Sequence, residues 1–349
     1  MQFCQLKIAV AAAVLGSCCA LVAQAQSLDS VYSTKAGVPS KGTITAVTKT
    51  EVTLDMAGVA RPFPTNEVTR VVYADEPNEL TNARNSVVAK NYNAALEELK
   101  KIDPATLTRV FMQHDAAYYR ALSALRLAMT EGGDKVKAEA DMLAFLRTAP
   151  DSYHFYEAAE LLGDLAASSG KYENAVRYYG PITKAPFEDY QMRANNALAR
   201  AQIAQKNYPA ALASFEAVLA GNLNTTEATQ QKLLASVGKA QCLGETGKPD
   251  EGVAMAEGII AKNDPQDAKL FARAYNALGA CHLKAGRSKD ALLAYLHTDV
   301  LFYADGDAHA EALYHLTKLW GELNKADRAT AARATLRDRY AGSIWNAKE

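Results

Sequence analysis

Five stretches of this chain lie over one another when it is compared with itself: "KNYNAALEELKKIDP" (residues 90–104), "GKYENAVRYYGPI" (170–182), "KNYPAALASFEAVL" (206–219), "GKPDEGVAMAEGII" (247–260) and "GRSKDALLAYLHTD" (286–299). Each follows a segment rich in small residues, among them "AELLGDLAASS", "NALARAQIAQ", "ASVGKAQCLGE" and "NALGACHLKA". A spacing of about 36 to 41 residues recurs between them, the length of a two-helix unit. From about Asn78 onward apolar residues return at three- and four-residue intervals, alanine dominates, and interior Pro and Gly are sparse, so the pattern is helical to the end. A helix pair this short cannot bury both of its apolar faces by itself. The units must therefore stack, each covering its neighbour.

The repeated positions resemble the tetratricopeptide repeat family. Leu162 and Gly163, Leu198 and Ala199, and Leu278 and Gly279 stand where that family has a Leu-Gly pair on its first helix. Tyr172 and Tyr208 take its inter-helix aromatic, Ala95, Ala175, Ala211 and Ala291 the small position of the second helix, and Pro104 and Pro150 the closing proline. A degenerate last unit runs over residues 308–340, with Leu316, Trp320 and Ala329 at equivalent places. The fifth unit departs from the pattern, with Pro249 at the aromatic and Gly252 at the alanine, so its second helix is the least well marked. The resemblance implies a mainly α fold, a right-handed α-solenoid of about six to seven helix pairs over residues 78–349. Small residues let two helices approach closely, and large ones fill the groove beside the next pair.

Ahead of the repeats, residues 27–77 alternate in the manner of strands. Ile44 and Val47, Val52 and Leu54, and Val68, Val71 and Tyr73 fall in short β-branched runs broken by Gly42, Gly58, Pro62 and Pro64. That pattern predicts a small antiparallel barrel of the SH3-like or Sm-like kind. Residues 1–25 have the layout of a secretory signal peptide: Lys7, an apolar run from Ile8 to Val22, and small residues at Ala23 and Ala25. The run is shorter than a spanning helix needs. A second reading of the same segment takes "LGSC", ending at Cys18, as similar to a bacterial lipobox, which would tether the protein through a lipid anchor at Cys18. Export to the periplasm or beyond is expected in either case. Soluble processing leaves only Cys242 and Cys281, too few for a disulfide framework.

The formal net charge of -1, spread evenly, gives no electrostatic case for nucleic acid. Cys281 beside His282 invites a nucleophile or metal reading, but neighbours on a helix point about 100° apart, and both sit at packing positions of the repeat register. A bond between Cys242 and Cys281 would have to span the distance between packed helices, about 8 to 10 Å, beyond disulfide reach. "GETGKPD" (244–250) has Pro249 where a phosphate loop needs Ser or Thr, and reads as a turn between helices. "ADGDAHAEA" (304–312) lacks the ligands of a calcium loop, and Asp307 is expected to cap the last helix pair. His114, His154, His297, His309 and His315 show no metal-ligand spacing. No catalytic, cofactor or metal residue is assigned, and the chain is read as a non-enzyme.

What remains is surface. In the family, particular positions of each first helix line a concave groove that holds peptide segments. Carried over, these are Glu157, Glu160 and Asp164, then Arg193, Asn196 and Arg200, then Arg273, Asn276 and Lys284. Arg193 with Asn196 recurs as Arg273 with Asn276. Asn can hold a peptide backbone through donor and acceptor, and Arg can grip a carboxylate in two contacts. The resemblance thus implies a protein-binding scaffold of the bacterial cell envelope. The competing readings are a self-assembling structural protein, a homo-oligomer using a barrel edge such as "EVTRVVY", and an accessory subunit of an envelope enzyme.

Overall fold

The computed structural model describes residues 28–130 and 133–348; the expected signal segment and Cys18 lie outside them. Five strands, β1 (Asp29–Ser33), β2 (Ser40–Val47), β3 (Glu51–Met56), β4 (Val59–Pro64) and β5 (Val68–Val72), form an antiparallel sheet in the order β4-β3-β2-β1-β5. Alternation decides its faces: Ile44, Val52, Leu54 and Val71 are buried, while Lys41, Thr43 and Glu51 face outward. Gly42 is required by the pairing, because a Cβ there would lie 2.2 Å from the Asp55 carbonyl oxygen of β3. β4 and β5 end the sheet without pairing to each other. The five-stranded antiparallel sheet agrees with the small β-domain expected from the sequence, and the turn joining those two strands docks on a distant helix. Asn66 Nδ2 donates to Asp189 Oδ1 at 3.1 Å, and Tyr190 Oη reaches the Thr65 carbonyl.

Fourteen helices follow among the described residues: α1 (Asn78–Val88), α2 (Tyr92–Lys101), α3 (Val110–Thr130), α4 (Lys135–Thr148), α5 (Phe155–Ser168), α6 (Tyr172–Tyr179), α7 (Glu188–Ala204), α8 (Tyr208–Leu219), α9 (Thr226–Glu245), α10 (Pro249–Lys262), α11 (Ala268–Lys284), α12 (Ser288–Leu301), α13 (Gly306–Glu322) and α14 (Ala326–Arg339). They form seven consecutive pairs. The fifth, least well marked in sequence, has a full second helix, with Pro249 in its first turn where a missing N–H costs nothing. Ala95, Ala175, Ala211 and Ala291 are all fully buried. Within the third and sixth pairs the Leu-Gly glycine meets an aromatic of the second helix. A Cβ on Gly163 would sit 2.3 Å from the Tyr179 ring, and one on Gly279 2.7 Å from Tyr295.

The turns repeat as closely as the helices. Between the helices of six pairs one residue is left-handed: Lys90, Gly170, Lys206, Gly247, Gly286 and Asn324. In each, the next N–H reaches back to the same carbonyl of the first helix, as in Lys171 to Ala166, Asn207 to Gln202 and Arg287 to His282, all at 2.8 to 2.9 Å. This closure satisfies carbonyls that the helix end leaves open. At α13 the cap is Asp305, whose carboxylate accepts from Ala308 N–H at 3.2 Å, and not the expected Asp307. The helix begins at Gly306, which places Asp307 already inside its first turn.

Sheet and helices share one core, running from Val31, Ile44 and Leu54 through Leu80, Met112 and Phe145 to Ala201. Two buried ionic clusters lock the joint. Asp29, 1% exposed, accepts from both terminal nitrogens of Arg109 at 2.7 and 3.0 Å and from the N–H groups of Ile44 and Ala74. Arg84, 2% exposed, pairs with Glu76 and Asp115. Asp115 also receives the hydroxyls of Tyr73 and Tyr153. Buried charges paired in this way favour one docking arrangement of sheet on solenoid.

Candidate functional site

The first helices of successive pairs line the inner face of the stack, and a cavity of about 180 Å³ opens there across the fourth to seventh pairs. Its apolar floor is Ile203 of α7, Phe215 of α8, Leu234 and Val237 of α9, and Ala277 of α11. Gly238 leaves room for the Phe215 ring, since a Cβ at that position would lie 2.1 Å from it. The rim is polar: Arg200, Gln241, Arg273, Asn276, Asp307 and Glu311. Arg200 is exposed and makes no hydrogen bond or ion pair among the described residues. Burial raises the Glu311 carboxyl above its ordinary range, against the Asn276 amide that donates to it. Burial and the nearby Arg273 charge both lower the Lys269 ammonium. A surface with an apolar floor, a free guanidinium and a bound carboxylate can hold a peptide side chain and its flanking polar groups.

No protein-family model matches the sequence, and no curated relative does. Solved structures do match. A tetratricopeptide repeat protein from Parabacteroides merdae aligns with a TM-score of 0.58 at 15% identity, covering 77% of this chain and 96% of its own. A Rap protein, solved in complex with Competence and Sporulation Factor, aligns with a TM-score of 0.55 at 12% identity, over 78% of this chain and 75% of its own. The chain has the helix-pair solenoid fold of tetratricopeptide repeat proteins.

Within that solenoid the nine residues expected to line the groove divide into three groups. Arg200, Arg273 and Asn276 border the cavity together. Glu157, Glu160, Asp164 and Arg193 lie away from it on α5 and α7, and are mostly engaged. Arg193 Nη2 donates to Glu160 Oε2 at 2.9 Å, Asp164 accepts from Tyr179 Oη at 2.8 Å, and Glu157 stands 3.7 Å from His154 Nδ1. Lys284 and Asn196 are engaged elsewhere, Lys284 pairing with Glu245 at 2.8 Å and Asn196 donating to Gln231 of the next first helix.

Asn196 and Asn276, repeated in sequence, are repeated in use. Each is buried and ties its helix to the next first helix: Asn196 Nδ2 to the Gln231 carbonyl and side chain, and Asn276 Nδ2 to the Ala308 carbonyl and Glu311. Their donors serve the stack. The two arginines diverge, Arg193 pairing back to the preceding pair and Arg273 forward to Asp305 at 2.8 Å.

Cys281 is buried, its thiol within 3.3 Å of the Ala240 carbonyl, and His282 Nδ1 accepts from Arg287 Nε at 3.1 Å. Both are packing residues, in keeping with their register. "GETGKPD" is the turn from α9 to α10, with Gly247 at φ 86°. No group of three metal-ligating side chains stands together among the described residues, and no described helix is long and apolar enough to cross a membrane.

The floor of the cavity is hidden from the repeat register, because it is assembled from α7, α8, α9 and α11 together, and the register treats each pair by itself. Trp345, which also lines the cavity, is hidden because it follows the last repeat. Its signal is being one of only two tryptophans.

Proposed function

We propose that this protein is a non-enzymatic scaffold of the bacterial cell envelope that binds an extended segment of a partner protein on the concave face of its solenoid. The observation that carries this is the cavity across α7, α9, α11 and α13, where the apolar floor of Ile203, Phe215 and Val237 lies beside the unpaired guanidinium of Arg200. The signal-like residues 1–25 support the envelope location, with Cys18 the place of a lipid tether. A photo-crosslinking residue at Gln241, on the cavity wall, should trap discrete partners in cells, while one at the exposed Leu293 should not. Equal yields from both positions would exclude the groove as the binding face.

Self-assembly through the sheet is the second reading, favoured by the end position of β5. Deleting residues 27–77 would expose the shared core, so the clean test is a charge at the exposed Thr69 of β5. A concentration-dependent sedimentation coefficient abolished by Thr69→Lys would support it.

A further inference from the structure

After α14 the chain does not run off into solvent. It turns at Tyr340, folds back, and forms a short 3-10 turn at Asn346–Lys348. The turn delivers Trp345 to the inner face. Its ring centroid lies 5.3 Å from Tyr314 and 5.7 Å from His315 of α13, and it lines the same cavity as Arg200, Phe215 and Val237. His315 in turn stacks on Tyr295 at 4.6 Å, so Trp345 adds the last ring to a ladder that begins in the solenoid core. Lys348 caps it, with its ammonium 3.6 Å from the centre of the Trp345 ring. Burial lowers the Lys348 ammonium, and the charge of Glu311 on the cavity rim partly opposes that shift.

The polar contacts tell a different story. Ser343 N–H bonds to the Tyr340 carbonyl, Trp345 N–H to Ser343 Oγ, Asn346 N–H to the Ser343 carbonyl, Asn346 Nδ2 to the Ala341 carbonyl, and Lys348 N–H to the Trp345 carbonyl. Every one of these stays within residues 340–348. Among the described residues the only hydrogen bond from residues 341–348 to the solenoid is the one from Ser343 N–H to the Tyr340 carbonyl at the end of α14, and none reaches α13 or the cavity wall. Among the described residues the segment is internally ordered and meets α13 through ring packing and charge, and Trp345 is only half-buried. A fixed structural cap would share hydrogen bonds with the helix it covers; a displaceable occupant would not.

We infer that residues 341–348 are an intramolecular occupant of the concave groove, a strap that a partner segment must displace, and that the segment replacing it presents an aromatic ring at the place of Trp345. This rests on the groove-binding reading above. It makes binding a competition, in which the apparent affinity for an outside segment falls by the fraction of molecules whose groove is open.

The test uses a fluorescein-labelled peptide of residues 341–349 and the full-length chain, followed by anisotropy. Trp345→Ala should empty the seat, so that variant should bind the labelled peptide about tenfold or more tightly than the unaltered chain. Lys348→Glu, a change on an exposed side chain, should raise binding in the same direction by a smaller factor. Equal binding by all three chains, or no binding by either variant while its circular dichroism matches the unaltered protein, would overturn the strap. Loss of crosslinks at Gln241 with peptide binding intact would count against the outside partner and leave the strap standing.

Discussion

Thr298 Oγ1 lies 2.8 Å from Asn276 Oδ1, with both residues fully or nearly fully buried, and completes an amide whose other end is held by Ala308 and Glu311. Eighty residues earlier the same two places hold Val218 and Asn196. There the Asn196 oxygen is buried without a partner among the described residues. Thr298→Val is therefore expected to destabilise by about 1–3 kcal/mol, the cost of stranding a buried acceptor. Val218→Thr should be neutral to stabilising by about 1 kcal/mol, since its new hydroxyl finds the orphan oxygen. Urea midpoints at constant m-value check both. A destabilising Val218→Thr would show that the two pairs are not equivalent at this place.

The joint between sheet and solenoid should be acid-sensitive. Burial alone would raise the Asp29 carboxyl, but Arg109 and the N–H groups of Ile44 and Ala74 outweigh it and hold the pKa below its ordinary 3.8. A folded-state pKa below the unfolded one means the contribution is complete above about pH 4 and is lost as pH falls through the lower folded value. Asp29→Asn should cost roughly 2–3 kcal/mol at neutral pH, less than the ~3–5 kcal/mol of a wholly buried pair because Arg109 keeps some access to water. The difference should shrink below about pH 4, where the native carboxyl protonates as well. Denaturant titrations of the two chains between neutral and acid pH test this; curves that stay parallel would rule it out.

The six left-handed turns differ in what they ask of their residues. Gly247, at φ 86°, adopts this conformation freely, whereas Lys206, at φ 60°, is strained by its Cβ. Lys206→Gly should stabilise by about 0.5–1 kcal/mol and Gly247→Ala should destabilise by about 1–2 kcal/mol. Thermal midpoints read both. A loss of stability in Lys206→Gly would mean that the lysine side chain holds something its backbone strain conceals.

Much of this fold was legible because each repeat restates the same physical problem. Buried alanines, the glycine under Tyr179 and the glycine under Tyr295 had to be small wherever two helices met. The sheet was legible from alternation, but its docking on the solenoid was not, because the contact of Asn66 with Asp189 joins residues more than a hundred positions apart. The candidate site was legible only in part. A repeat register says which residues face inward, and Arg200, Arg273 and Asn276 among them border one cavity. It says nothing about which inward side chains are already engaged, as Asn276 is, or about the tail that brings in Trp345.

Gly252, the residue that broke the motif of the fifth unit, is explained by Cys281. A Cβ at Gly252 would lie 2.6 Å from the Cys281 sulfur and 2.6 Å from the Ala240 carbonyl oxygen, the same oxygen that Cys281 approaches at 3.3 Å. The larger thiol in the sixth pair thus occupies the space that an alanine would fill in the fifth. Burial raises the Cys281 thiol to about 11 and the Cys242 thiol to about 12, and thiolate is the reactive form. In a chain beginning at Gln26, which lacks the other three cysteines, both thiols should resist Ellman's reagent at neutral pH and react fully in denaturant. Gly252→Ala should destabilise by about 1–3 kcal/mol through overpacking and make both thiols react faster under native conditions. Adding Cys281→Ala to it should cost less than the two single changes together, by at least about 0.5 kcal/mol, because one contact is being counted twice. Strict additivity would mean that the Ala240 carbonyl alone excludes a side chain at this position.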